Sequence, residues 1–220
     1  MSARPSVGPT VERFRSDDGF EENTYVLCER AGRECIVIDP GATAREVMAY
    51  IDREGLRVKL ILATHAHVEH VVSAELLGER FGSRFLINSA DSRLLSTVAE
   101  QAVAFGYPFE GEIKADGFFE EEGLFELGAL NIEILRTPGH TPGSSCFFIN
   151  RRTLFTGDTL FAGSIGRTDF PGGSPSQMMS SLKRLICLPD TTKIYPGHGG
   201  ESTIGNEKAS NPFLLSWDLS

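Results

Sequence analysis

No stretch of this chain approaches 18 consecutive apolar residues, so the sequence offers no membrane-spanning helix. Its opening MSARPSVGPT lacks the apolar core of a secretory signal, which leads us to expect a cytoplasmic protein. Basic residues are in deficit, 21 Lys and Arg against 30 Asp and Glu, for a net charge of −9. That balance argues against a free-standing nucleic-acid binder and against docking on an anionic membrane. Cysteine is scarce and scattered (Cys28, Cys35, Cys146, Cys187) with no C-x-x-C pair, which leaves a zinc ribbon or a thioredoxin-type site unsupported. Three of the four lie in or beside apolar, strand-like stretches and read as buried reduced thiols. There is no G-x-S-x-G elbow for a serine mechanism and no H-E-x-x-H. The one H-x-E, His67 to Glu69, has no P-C-x-x-C partner, which sets aside a zinc deaminase. No period of 20 to 50 residues repeats, so a solenoid is excluded.

What is present is enough for an ordinary globular domain. A chain of 220 residues buries roughly 70% of its unfolded surface and needs no staple to fold. With 40% hydrophobic and 23% charged residues, it is expected to form one domain over 1–220. Residues 24–28 (TYVLC), 35–39 (CIVID) and 59–63 (KLILA) read as strands, followed later by 85–87, 130–135, 145–149, 153–156 and 192–195. The turn Asn150-Arg151-Arg152 makes a hairpin of two of them. Helical spacing covers 44–54, 69–80, 89–104 and 177–187, with Ser89 or Asp91 as the cap of the third. The segments 106–123 and 163–176 read as loops, and Asn211-Pro212 breaks a last helical stretch. Strands with interleaved helices suggest an α/β protein with sheets sandwiched between helix layers.

Only five histidines occur, at 65, 67, 70, 140 and 198. Three fall within His65-Ala66-His67-Val68-Glu69-His70, directly after a buried strand. A single buried histidine is usually structural, but three with a carboxylate bring more ring nitrogens than packing can satisfy, whereas a metal ion uses them. Pro138-Gly139-His140 and Pro196-Gly197-His198 echo one another, each delivering a histidine at a strand's exit through glycine, where the backbone turns without a Cβ. Thr156-Gly157-Asp158 also follows a strand. Asp158 alone would pass for a turn residue, but beside these ligands it is expected to bridge two metals.

Taken together, T-H-A-H-V-E-H, the two P-G-H turns and T-G-D resemble the metal-binding signature of the metallo-β-lactamase superfamily. N-T-Y-V-L at 23–27, V-I-D-P-G at 37–41, L-F-T-G-D-T-L-F at 154–161, G-R-T-D-F at 166–170 and N-P-F at 211–213 extend the likeness along nearly the whole chain. Within that superfamily the chain looks most like short glyoxalase II-like hydrolases. The resemblance implies a four-layer αβ/βα sandwich. It implies one metal on His65, His67 and His140, a second on Glu69, His70 and His198, and Asp158 between them. Two departures stand out. The family carries Asp where this chain has Glu69, whose extra methylene leaves three outcomes: full ligation after adjustment, a partly filled second site, or a nearby base. Reduced affinity at the second site is expected. Full-length glyoxalase II proteins also carry a C-terminal helical domain that helps bind the glutathione thioester, and about 20 residues follow His198 here.

The resemblance implies hydrolysis of a small thioester, hydroxyacylglutathione-like, or a related ester. Two divalent ions, zinc foremost with iron or manganese compatible, would supply hydroxide near neutral pH and polarise the carbonyl. Glu69 and Asp158 are the carboxylates expected to take part in the chemistry, while Arg167 and, more weakly, Lys208 are candidates for a substrate carboxylate. Those ions bring −9 to about −5 for the chain (−9 + 4) and leave the site itself locally positive, which suits a small anionic thioester. A mononuclear iron dioxygenase of glutathione persulfide shares the fold and the G-R-T-D-F stretch and is the alternative. A non-catalytic metal-binding member ranks below both.

Overall fold

The computed structural model describes residues 9–29 and 33–216. The first sheet has the order β1 (Thr10–Arg15), β2 (Asn23–Glu29), β3 (Glu34–Ile38), β4 (Arg57–Leu62), β5 (Arg84–Asn88) and β6 (Gly117–Phe119). Its first three strands are antiparallel and β3 to β6 run parallel. The parallel steps need crossovers, and α1 (Ala44–Glu54), α2 (Val68–Val71) and α3 (Ala74–Phe81) supply the first two. The third passes through a 3₁₀ turn (Ser89–Asp91), α4 (Ser92–Leu95) and α5 (Val98–Phe105).

The second sheet is built from β7 (Gly123–Leu127), β8 (Leu130–Arg136), β9 (Ser145–Ile149) and β10 (Thr153–Gly157). A short hairpin, β11 (Leu160–Phe161) with β12 (Ser164–Ile165), leads to α6 (Pro175–Leu185), where Ser174 caps the first turn and Pro175 opens it. The chain then returns as β13 (Lys193–Pro196), parallel to β10, and finishes with β14 (Ser202–Thr203), α7 (Ile204–Ser210) and α8 (Pro212–Leu215).

Alternation in the strands sorts the core into three apolar clusters. In β2, Tyr25 and Leu27 point one way and Val26 and Cys28 the other. Tyr25, Leu27, Ile36, Ile38 and Leu62 meet Ile132, Phe147, Ile149 and Phe155 of the other sheet, so the two sheets pack face to face. The outer face of the first sheet packs on α1, α3 and α5, and that of the second on α6, α7 and α8. The result is the four-layer αβ/βα sandwich. Cys28, Cys35 and Cys146 are buried free thiols, while Cys187 is exposed. No helix among the described residues is long and apolar enough to cross a membrane.

Several local expectations are corrected. The helix expected over 69–80 is two helices, because Ser73 donates its N–H to Pro40 O and the chain steps sideways after α2. The helix expected over 89–104 is also divided, as the Thr97 hydroxyl bonds back to Leu94 O. Asn88 caps the 3₁₀ turn by accepting from Ala90 N, and Asp91 stands at the N-cap position of α4 without a side-chain cap bond, because its carboxylate turns inward. Within the expected loops, Gly117–Phe119 is an edge strand on β5 and Ser164–Ile165 pairs in a hairpin. The strands β1 and β7, with mixed polar and apolar sequences, went unread.

Candidate metal centre

The C-terminal ends of β4, β8, β10 and β13 open at the same edge of the sandwich and deliver His65–His70, His140, Asp158 and His198. Polar side chains hold these exits in place. After β3, Asp39 accepts from Thr64 N at 2.7 Å and Thr64 Oγ1 at 2.9 Å, which fixes the residue before His65. Asp91 is fully buried and accepts from Ala66 N at 3.0 Å, Thr141 Oγ1 at 2.8 Å and Gly143 N at 2.7 Å. It thereby ties the turn carrying His65 and His67 to the turn carrying His140. Asn23 Nδ2 donates to Pro196 O and Gly199 O, both at 3.0 Å, and Tyr25 Oη to Pro196 O at 2.7 Å, so the N-T-Y segment braces the His198 turn.

The two P-G-H glycines serve different needs. Gly139 has φ +144 and lies so close to α6 that a Cβ would stand 2.4 Å from Met178 N. Gly197 has no unusual φ; a Cβ there would instead sit 2.2 Å from Asp158 Oδ1 and 2.8 Å from His70 Cε1. The glycine of the second turn is thus required by closeness to Asp158 and His70.

Three donor groups emerge, each with its ligand atoms within 4.8 Å of one another: His65, His67 and His140; His65, His70 and Asp158; and Glu69, His70 and His198. A neutral imidazole carries one N–H and one bare nitrogen, and the partner of the first fixes which is which. His140 Nδ1 donates to Arg167 O at 2.8 Å, and His198 Nδ1 to Phe20 O at 2.9 Å. Thr64 spends its hydroxyl hydrogen on Asp39, so at 3.1 Å it accepts from His65 Nδ1. In each ring Nε2 is therefore bare, and it points inward. His67 Nδ1 lies 3.1 Å from His65 Nε2 and 2.9 Å from His140 Nε2, a crowding of nitrogens that N–H groups cannot satisfy pairwise. Glu69 Oε2 and Asp158 Oδ1 are buried without hydrogen-bond partners. Bare nitrogens and unpartnered carboxylate oxygens converging in a buried pocket fit divalent cations.

The protonation pattern agrees. Burial, reinforced by neighbouring histidines, keeps His65 well below its usual range, and burial and His140 bring His67 down to about 3. Burial also disfavours charge on His70, but Asp158 and Asp39 outweigh it and raise its pKa to about 10. Its Nδ1 lies 3.3 Å from Asp39 Oδ2 and its Nε2 3.6 Å from Asp158 Oδ1. Burial would push Asp158 up, yet His70, His198 and His140 around it hold the carboxyl low, and it is ionised at neutral pH. Asp158 Oδ2 stands 3.5 Å from Nε2 of both His140 and His198, so one carboxylate faces both outer donor groups.

A cleft of about 440 Å³ opens over this cluster, with His67, Glu69, His140, Asp158 and His198 in its floor. Arg167 lines it, but Nε and Nη2 are both 2.7 Å from the Asp169 carboxylate and the guanidinium lies 3.9 Å from the Phe170 ring centroid. Lys208 is not among the lining residues, and its Nζ pairs with Asp190 at 2.8 Å. It faces outward from α7, where Glu207 is the residue turned inward.

The sequence model of the metallo-β-lactamase superfamily matches residues 17–198. The chain belongs to that superfamily. It is 40% identical over 201 residues to hydroxyacylglutathione hydrolase GloC of Haemophilus influenzae, a match covering 90% of this chain and 94% of that protein. Among solved structures it is similar to BLEG-1 B3 metallo-β-lactamase (TM-score 0.87, 30% identity, 94% of this chain and 100% of that one). It is likewise similar to TTHA1623, solved in a di-iron-bound form (TM-score 0.82, 33% identity, 92% and 100%). Members of this superfamily are metallo-hydrolases that bind divalent metals, and the described residues include the His-rich donor cluster at one edge of the sandwich. The supporting residues Asp39, Asp91, Asn23 and Gln101 were not read as part of the site. Asp39 and Asn23 lay within quoted motifs, whereas Asp91 looked like a helix cap, and Gln101, which binds Val68 N and Ala66 O, gave no signal.

Proposed function

We propose that this protein is a metal-dependent hydrolase of small thioesters, glyoxalase II-like in its chemistry. The observation that carries the reading is the convergence of pre-set bare nitrogens and two unpartnered carboxylate oxygens under an open cleft. The identity to a protein named as a hydroxyacylglutathione hydrolase supports the thioester. His65, His67 and His140 would hold one divalent cation, Glu69, His70 and His198 a second, with Asp158 between; zinc is the first expectation. When bound, such ions bring the pKa of a coordinated water to about 7 and polarise a carbonyl oxygen.

The chain's own residues do the rest. Ionised Asp158 offers one oxygen toward His70 and the other toward His140 and His198, which holds the two groups in fixed relation. The carbonyls of Phe20 and Arg167 keep two imidazoles from rotating. Glu69 lines the cleft, with Oε2 buried and unpartnered beside His70 and His198. Thiolates leave readily, so no strong general acid is demanded of the cleft wall. In place of the family's Asp, Glu69 is expected to weaken the second metal site.

The test is metal analysis of native protein together with thiol release from S-lactoylglutathione. More than one divalent metal per chain, with the second site partly filled in wild type and fuller in Glu69→Asp, and thiol release are expected. One iron per chain, oxygen uptake on glutathione persulfide and no thioester cleavage would overturn the proposal. Two equivalents in wild type, unchanged in Glu69→Asp, would refute the weakened second site alone.

A further inference from the structure

Five residues of the cleft that are not candidate ligands are apolar: Phe20, Phe105, Phe161, Ile165 and Phe170 form a wall around the donors. The Phe170 ring stands edge-on to His67 at 5.6 Å between centroids and to His140 at 6.5 Å. On the other side the Phe161 ring stands edge-on to His198 at 6.1 Å. Phe105 links Phe170, at 5.8 Å, to Phe20, at 6.5 Å, which closes the wall. Phenyl rings thus border both outer donor groups. Among the described lining residues Arg167 is the one cation, and its fork is already engaged by Asp169 while its flat face rests on Phe170. The cleft therefore has polar chemistry in its floor and apolar surface in its walls. A hydroxyacyl group would bring a hydroxyl against those walls with no free partner, whereas an aryl or branched-alkyl group would cover them and displace water.

We infer that this site, if the thioester reading above holds, acts on thioesters whose acyl group is aryl or branched-alkyl in preference to hydroxyacyl thioesters, with Phe161 and Phe170 setting that choice. The reaction balances as simple hydrolysis. Water adds to the acyl carbon, the carbon–sulfur bond breaks, and the acyl group leaves as a carboxylic acid while sulfur departs as thiolate and takes up a proton.

The experiment compares lactoyl and phenylacetyl thioesters of one thiol, N-acetylcysteamine, on metal-replete full-length protein, with thiol release as readout. The phenylacetyl thioester is expected to show a kcat/KM at least about tenfold higher. Phe161→Ala and Phe170→Ala should each pull that ratio toward one at unchanged metal content, and Phe170→Leu should retain most of it. A ratio at or below one in wild type, or a ratio unmoved in both alanine variants, would overturn the inference. Calorimetric binding of the product acids, phenylacetate and lactate, separates the two levels of the argument. Tighter phenylacetate binding without cleavage of any thioester sinks the thioester reading and keeps the apolar subsite. Efficient cleavage of the lactoyl thioester in preference sinks the subsite and keeps the reading.

Discussion

Asp91→Asn is the substitution that most directly probes how the ligand turns are held together. The carboxylate accepts three hydrogen bonds, from Ala66 N, Thr141 Oγ1 and Gly143 N, at 2.7–3.0 Å, with no exposure to solvent. Burial pushes its pKa up, against the pull of those three donors. An asparagine keeps one acceptor oxygen and turns an NH₂ toward the donors on the other side, so at least one buried N–H loses its acceptor and faces a like group instead. A hydrogen bond to a charged group contributes about 1.5–3 kcal/mol, and an orphaned buried donor costs about 1–3 kcal/mol. Because these contributions overlap, we expect a loss of about 3–5 kcal/mol. For a chain of this size each kcal/mol lowers Tm by about 2–4 °C, so the shift should fall between about 6 and 20 °C. The turn bearing His140 would also come loose from the turn bearing His67, and metal bound per chain should fall. Urea unfolding of chelator-treated protein gives the stability change, and elemental analysis of native protein gives the occupancy. A variant within about 1 kcal/mol of wild type that retained the full metal complement would refute the clamp argument.

Three further outcomes follow from the same geometry. In the metal-free protein His70 has a pKa of about 10, above its unfolded value, so the stability it contributes is fully present below about pH 6.5 and is lost as pH rises through 10. Metal must then displace that proton at neutral pH, and calorimetry in buffers of different ionisation enthalpy should show about one proton released and affinity rising with pH; no buffer dependence would contradict it. Gly197→Ala places a Cβ 2.2 Å from Asp158 Oδ1 and should lower activity by at least about 100-fold, with metal loss measured alongside; retention of both would show that the turn adjusts freely. Glu207→Gln should raise KM severalfold with little change in kcat. Its Oε2 holds Gly163 N at 2.8 Å, and Asn211 Nδ2 binds both that oxygen and Ser164 O, so the pair pins the β11–β12 hairpin that carries Phe161 and Ile165. A fall in kcat alone would point elsewhere.

The candidate donor cluster was legible because histidine is rare here and each one follows a strand in a turn-forming context. The pairing of donors across the sandwich was readable only through the family likeness, since nothing local in Gly139-His140 specifies that its ring will meet His67. Helix continuity was misread where backbone groups serve the site. Ser73 N answers Pro40 O, and Asp91 gives up a cap to bind two turns far away in sequence. Local propensity cannot register such long-range partners. The edge strands β1, β6 and β7 escaped notice for a related reason, as their partly exposed, mixed sequences lack the apolar run that marks buried strands. For Lys208 the sequence does not say which way its face of α7 points, and the structure turns it outward toward Asp190.

Two of the imidazoles owe their orientation to the carbonyl oxygens of Phe20 and Arg167, residues whose own side chains line the cleft. Backbone and side chain at these two positions thus answer to different constraints. A point mutation can replace the side chain and leave the carbonyl where it is, so substrate preference can drift there while the donor geometry persists. An inserted or deleted residue in either loop would move the carbonyl and turn the imidazole with it. Diversification of this cleft should therefore proceed by substitution at fixed loop length, and loop-length change near Phe20 or Arg167 should mark lineages in which the imidazole cluster itself has been rearranged.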